Sequence, residues 1–444
     1  MRIIRDKKTA KEFLDRTNVE YEPTPALKES MKKLFGKEMT IEQAVESIIS
    51  DVRQRGDEAL FELNDKIDGA KLSVLEVTKE EIAAAYNAID DELLGALEMA
   101  AERIRAFHEV QRVNSRTDFM DEELGQLVFP LQRVGLYAPG GKASYPSTIL
   151  MTVIPARVAE VKEVIMTSPP AKDGSIAPAR LVAADISGVD KIYKVGGAQA
   201  IAAMAYGTKS IPKVDKVCGP GNIFVTLAKK NVYGAVDIDG IQGPTETIVI
   251  ADDSATPLFC ALDLLAQAEH DEMASAIMIT DSKEFADKVV KEVDKQLEVI
   301  ERSRIAKESI EKNGAIIIVD SIDDAVDLAN TYSPEHLCLT VKNPDYYVSR
   351  ITNSGGIFIG ESSPEGVGDY VAGPSHVMPT GGTARWSSPL SVDDFLRTAN
   401  VVALKERSFV ELGQAAAIIA RAEGLTAHAK AVEERLKKLG EDSE

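Results

Sequence analysis

Histidine is scarce in this chain of 444 residues, which has five: His108, His270, His336, His376 and His428. All but the first sit in segments that are unusual for other reasons too. Gln267, His270, Asp369 and His428 make a set of nitrogen and oxygen donors without thiolate, which suits zinc or another divalent first-row ion with room for a substrate atom. The imidazole of His336 ordinarily titrates near neutrality and could remove an alcohol proton, while the neighbouring Glu335 could activate water. A second reading of Ser333-Pro-Glu-His336 is a helix C-cap in which the imidazole favours the dipole.

These residues need elements to hold them. Glu246 to Ala251 (ETIVIA) is an apolar, β-branched run that predicts a buried strand, and Thr256-Pro257 then supplies an N-cap and a first-turn proline. In the helix that follows, Leu258, Ala261, Leu262, Leu265 and Ala268 bury one face, and Gln267 and His270, three apart, share another. Glu335 and His336 precede the apolar run LCLTV, and in extended chain their side chains are expected to point apart. Glu365, Asp369 and His376 lie in a glycine- and proline-rich stretch from 355 to 382 that reads as an active-site loop, with polar residues bonding their own backbone as the alternative. From about 392 the text is helical; Glu423 and His428 are five apart, roughly 140 degrees round one helix, so a ligand serving both must wrap it.

Between 133 and 251 short apolar runs alternate with helical segments, the pattern of a parallel, doubly wound sheet, and the alternation resumes from 276 to 360. Glycine-rich turns follow three of the first strands: Ala138-Pro-Gly-Gly141, Gly196-Gly-Ala-Gln199 and Gly219-Pro-Gly-Asn222. Each can be merely a tight turn, and none is the G-x-G-x-x-G fingerprint; three at strand carboxyl ends favour a nucleotide crevice. Tyr137, Gln199 and Asn222 are the polar groups there that could hold ribose, amide or phosphate. Such turns, a metal set and an acid–base pair together point to oxidation of an alcohol by hydride transfer to NAD.

The organisation expected is two Rossmann-like α/β domains with an N-terminal arm and a C-terminal helical tail. The arm covers 1–30, the metal and catalytic domain 31–132 with 247–390, the nucleotide domain 133–246 and the tail 391–444. Residues 40 to 112 read as helices, with His108 expected at the surface near a helix end. The net charge of −20 argues against a general nucleic-acid surface. No apolar run approaches the roughly 20 residues of a membrane helix, and no signal peptide opens the chain, so a cytoplasmic enzyme is expected. Cys218, Cys260 and Cys338 fit buried, reduced thiols.

The runs IDGIQGPTETIVIAD, DLLAQAEH, SPEHL, GVGDYVAGPSHVMPTGGTAR and EGLTAH, with RVGLYAPGG, VGGAQAIAA and GPGNIFVT before them, closely resemble the histidinol dehydrogenase family from about residue 30 onward. The resemblance implies a zinc-dependent, NAD-linked enzyme that oxidises L-histidinol through L-histidinaldehyde to L-histidine. It implies Gln267, His270, Asp369 and His428 as zinc ligands, His336 as general base and Glu335 as the residue that activates water. It places Tyr137, Gln199 and Asn222 against NAD, and Thr245, Glu365, His376 and Glu423 beside the substrate together with His336 and the zinc ligands. It also implies a homodimer whose C-terminal segment completes the partner's site. Gln242 and Thr245 depart from the family's usual Ala and Ser beside the substrate position. An NAD- and metal-dependent dehydrogenase of another small alcohol, a metal-dependent hydrolase and a non-catalytic paralogue are the other readings.

Overall fold

A computed structural model describes residues 1–15, 25–140 and 145–441; Pro23 of the expected arm and Gly141 of the first glycine turn lie outside them. The strands in chain order are β1 (Arg2–Ile4), β2 (Phe119–Asp121), β3 (Leu124–Pro130), β4 (Arg133–Tyr137), β5 (Glu163–Ser168), β6 (Lys191–Lys194) and β7 (Lys216–Cys218). They continue as β8 (Asp237–Ile238), β9 (Glu246–Ala251), β10 (Ser275–Thr280), β11 (Ala315–Ile318), β12 (His336–Thr340), β13 (Gly356–Ile359) and β14 (Leu396–Val402). Two compact units form: 1–114 with 131–395, and 115–130 with 396–444.

The first unit is α/β and holds two parallel sheets. One has six strands in the order β1-β11-β10-β9-β12-β13. Its central strand β9 is buried on both faces, as its continuous β-branched run requires. Ile248 and Ile250 pack with Leu328 and Ala329 on one side, and Val249 and Ala251 pack with Leu264 and Leu265 on the other. The other sheet has five strands in the order β6-β5-β4-β7-β8. Numbered from β4, that is the third-second-first-fourth-fifth order of a doubly wound sheet, with its switch point between β4 and β7. Residues of the expected arm are part of the first unit: β1 pairs with β11, and Ala10 and Leu14 of the helix Lys7–Leu14 enter the core.

The second unit is not wholly helical. Residues 396–402, expected in the helical tail, form β14, which runs antiparallel to β3; β2 completes a three-stranded sheet. The alternating LRTANVV was masked by the Ala- and Glu-rich text after it. Two helices follow, Glu406–Ala422 and Thr426–Glu441, joined through Gly424 at φ +76. The turn separates Glu423 from His428, so the two do not ride one helix. Among the described residues no helix is long and apolar enough to cross a membrane.

His108 also differs from expectation, being fully buried. The helix Asp91–Val113 continues past it, and Leu97, Ala101, Ile104 and His108 repeat at three or four residues along its buried face. Gln111 Oε1 stands 2.9 Å from His108 Nδ1, and burial lowers the imidazole pKa.

Candidate active site

β9 and β12 are parallel neighbours with Thr247 opposite His336, so Thr245 and Glu335, just ahead of the two strands, meet at the sheet's amino edge. Parallel α/β sheets usually place ligands at the carboxyl edge. Here the opposite edge collects the acid–base groups. Glu335 Oε2 accepts from Thr245 Oγ1 at 2.6 Å and from Glu246 N at 3.1 Å, and stands 3.5 Å from His336 Nδ1. The adjacent side chains therefore converge. Glu335 precedes the pleated run and is pinned by β9, so strand alternation does not apply to it. His336 opens β12 and is not a helix cap; the helix Ile322–Tyr332 is closed by Ser333 in the left-handed region.

The imidazole of His336 is buried, with Phe358 stacked 5.6 Å away, centroid to centroid. Its Nδ1 stands 3.3 Å from Glu246 O, and its Nε2 3.1 Å from Asp369 Oδ1. Burial opposes a charge there, but the carboxylates of Glu365, Glu335 and Asp369 outweigh it and hold the His336 pKa well above the ordinary value. Burial likewise works against charge on Asp369, yet the hydrogen bond and charge of His336 keep that carboxyl below its usual range. His376 is the contrasting imidazole. Its Nδ1 lies 2.7 Å from Asp369 O and its Nε2 3.2 Å from Thr148 Oγ1, and burial depresses its pKa. Nδ1–H donates to the carbonyl, and Nε2 accepts from the threonine. His376 thus joins the loop after β13 to the helix Pro146–Val158 of the five-stranded half.

Behind this pair lies a fixed amide. Glu365 is 1% exposed. Its Oε2 takes Gln267 Nε2, and its Oε1 takes Thr247 Oγ1 and, at 3.0 Å, Cys338 Sγ. A carboxylate only accepts, so this contact fixes which end of the Gln267 amide is nitrogen and turns Oε1 toward Thr245, 2.8 Å away. The single proton of Thr245 therefore serves either Gln267 or Glu335. Glu365, expected beside the substrate, has a protein donor on each oxygen, Gln267 among them.

Gln267, Asp369 and the exposed His270 supply oxygen and nitrogen donors of the type a borderline ion takes, and the oriented Gln267 oxygen fits a ligand role. His270 lies just past the end of the helix Pro257–Ala268, with its N–H on Gln267 O at 3.1 Å, so one tighter final turn relates the two. Among the described residues no three His, Cys, Asp or Glu side chains come together closely enough to hold a metal. His428 and Glu423 belong to the second unit, where both are exposed.

Sequence reasoning missed Thr148, Thr247, Phe358 and Asp263. Their types are ordinary for core or helix positions, and only tertiary pairing marks them. Asp263 lies one turn before Gln267; burial, then the charges of Glu365 and Glu361, push its carboxyl up to about 7. A carboxyl raised in the fold destabilises it fully above the raised value and not at all below the unfolded carboxylate range, so the loss grows from roughly pH 4 to roughly pH 7. Asp263→Asn is therefore expected to raise the melting temperature at about pH 8 by a few degrees and to change it little at about pH 4, by calorimetry at both.

At the carboxyl edge of the five-stranded sheet, Tyr137 is buried and its hydroxyl accepts from Gly197 N at 3.2 Å. Gln199 is fully buried, and neither amide atom has a hydrogen-bond partner among the described residues. Asn222 is partly committed: its Oδ1 caps the helix Ile223–Val232, accepting from Phe224 N at 3.0 Å and Val225 N at 3.3 Å. The side chain of Gln242, the departure expected beside the substrate position, is hydrogen-bonded within the protein: its Oε1 accepts from the buried Lys229 Nζ at 2.6 Å, and its backbone carbonyl from Thr226 Oγ1 at 3.2 Å.

A doubly wound sheet with unpaired polar atoms at its carboxyl edge, in one unit with a buried histidine–carboxylate cluster, defines an α/β enzyme. The histidinol dehydrogenase family model matches residues 32–436, and the chain belongs to that family of oxidoreductases. It is 53% identical over 397 residues to the histidinol dehydrogenase of Dehalococcoides mccartyi (strain CBDB1), covering 89% of this chain and 91% of that relative. With the histidinol dehydrogenase of Clostridium acetobutylicum identity is 50% over 412 residues, 92% of this chain and 96% of the relative. The crystal structure of histidinol dehydrogenase from Elizabethkingia anophelis superposes with a TM-score of 0.90 at 34% identity, covering 99% of both chains.

Proposed function

We propose that this chain oxidises L-histidinol through L-histidinaldehyde to L-histidine with NAD as hydride acceptor and zinc in the active site. The observation that carries the chemistry is the His336 imidazole set among Glu335, Asp369 and Glu365. When bound, zinc polarises the alcohol oxygen and NAD accepts the hydride. Gln267, His270 and Asp369 would hold the metal, with His428 contributed from the second unit of a partner copy.

His336 Nδ1 is committed to Glu246 O and Glu335, so Nε2 is the nitrogen that takes the alcohol proton. That role requires the neutral imidazole and release of its bond to Asp369. Glu335 then shares the positive charge of His336 and, in the second oxidation, accepts a proton from the water that adds to the aldehyde. Thr245 orients Glu335, and Glu365 acts on the substrate side by fixing Gln267. His376 and Glu423 complete the substrate contacts, while Tyr137, Gln199 and Asn222 hold the dinucleotide.

The assembly proposed is a cytoplasmic homodimer. The second unit exposes Ile418 at 68%, Ile419 at 59% and Phe119 at 57%, apolar surface that a second copy would cover. The test is NADH formation by purified, zinc-loaded protein with L-histidinol, repeated after chelation and with unrelated alcohols. Chelator-sensitive, histidinol-dependent reduction is expected; reduction by another alcohol alone would move the substrate, and no reduction by any would end the dehydrogenase reading.

A further inference from the structure

Asp369 is proposed to hold the metal and also faces His336, yet its own helix leaves its backbone carbonyl without a donor. It is the second residue of the π-helix Gly368–Ala372, a rare form in which a carbonyl accepts from the N–H five residues on. For Asp369 that residue is Pro374, which has no N–H. A side chain supplies the bond instead: His376 Nδ1, 2.7 Å from the Asp369 carbonyl. A carbonyl only accepts, so the imidazole proton is on Nδ1 and Nε2 is left as an acceptor. The group that meets Nε2, at 3.2 Å, is the hydroxyl of Thr148.

Thr148 is buried in the helix Pro146–Val158, whose residues from 147 to 156 are all buried. The segment carrying His376 is docked on that helix by a separate contact. Ser375 Oγ donates to Met151 O at 3.2 Å and accepts from Val377 N at 3.2 Å. Docking therefore has its own bonds, and the Thr148 bond acts on the ring. We infer, resting on the metal reading above, that Thr148 is a positioning residue for the metal centre: its hydroxyl holds the His376 ring with Nδ1–H on the Asp369 carbonyl, and that bond presents the Asp369 carboxylate to the metal and to His336 Nε2. Without the hydroxyl, Nε2 has lost its donor and the ring is free to turn or to carry its proton on the other nitrogen, which leaves the carbonyl bare and the carboxylate loose. Partners behind a metal ligand act in this way, by fixing its orientation. The substrate contact proposed for His376 is likewise made by a ring held in one orientation.

Three variants separate the hydroxyl from the packing. Thr148→Val removes the hydroxyl at nearly constant volume, Thr148→Ala removes it with the methyl, and Thr148→Ser keeps it at close to the volume of alanine. Zinc affinity is read by competition with a chromogenic chelator, kcat for L-histidinol is measured in excess zinc, and melting curves of the metal-free proteins establish that each variant is folded. Thr148→Val and Thr148→Ala should both weaken zinc on the order of tenfold and lower kcat, whereas Thr148→Ser should restore both to near wild type. Wild-type zinc affinity in Thr148→Val would overturn the assignment while leaving the metal reading in place. So would equal losses in Thr148→Ala and Thr148→Ser, the mark of a packing role. A wild type that binds no zinc overturns the metal reading itself, and Thr148 with it.

Discussion

His336→Ala is expected to lower kcat for L-histidinol by about a thousandfold, with bound zinc retained. The magnitude is that of losing a positioned general base. Nothing nearby can replace it. Glu335 is held by Thr245 and Glu246, Asp369 is proposed to hold the metal, and His376 has both ring nitrogens engaged. Retained zinc separates this outcome from collapse of the site, since His336 is not among the proposed ligands. Steady-state NADH formation with metal analysis of the same preparation checks both; turnover within about tenfold of wild type would remove His336 from the role of base.

Glu335→Gln should divide the reaction into its halves. The amide oxygen can still accept from Thr245 Oγ1 and Glu246 N, so β9 and β12 stay joined. What is lost is the negative charge beside His336 Nδ1 and the capacity to take a proton from water. Oxidation of L-histidinaldehyde is expected to fall on the order of a hundredfold or more, and the alcohol step much less. The yield of NADH per histidinol in a short incubation reads this directly, because it halves when the reaction stops at the aldehyde. Equal slowing of both steps would show that Glu335 acts through His336 and not on water.

Both residues could be read from the sequence as chemically apt, but their arrangement could not. Strand alternation placed Glu335 and His336 on opposite sides, whereas the hydrogen bond from Glu246 N draws the carboxylate back across the strand end. Local patterning also hid the state of Gln242: its partner, Lys229, is thirteen residues upstream on another element and buried. The parallel sheets were legible because β-branched runs and glycine turns are local signals. The 396–402 strand was not, since its partner β3 is more than two hundred residues away in sequence. Glu365 could be seen as a carboxylate in a glycine-rich loop, yet its donors Thr247, Gln267 and Cys338 come from three other elements.

The acid–base cluster stands at the amino edge of β9 and β12, so the short connection Asp281–Ser282 at the carboxyl end of β10 carries none of the residues proposed for catalysis, unlike the segment after β13 that brings Glu365, Asp369 and His376. For a protein engineer this makes two kinds of handle. A short tag or reporter peptide spliced at Asp281–Ser282 leaves the proton-transfer groups undisturbed, whereas in the stretch from 239 to 245 Asp239, Gln242, Gly243 and Thr245 are each tied by a hydrogen bond that an insertion would put at risk.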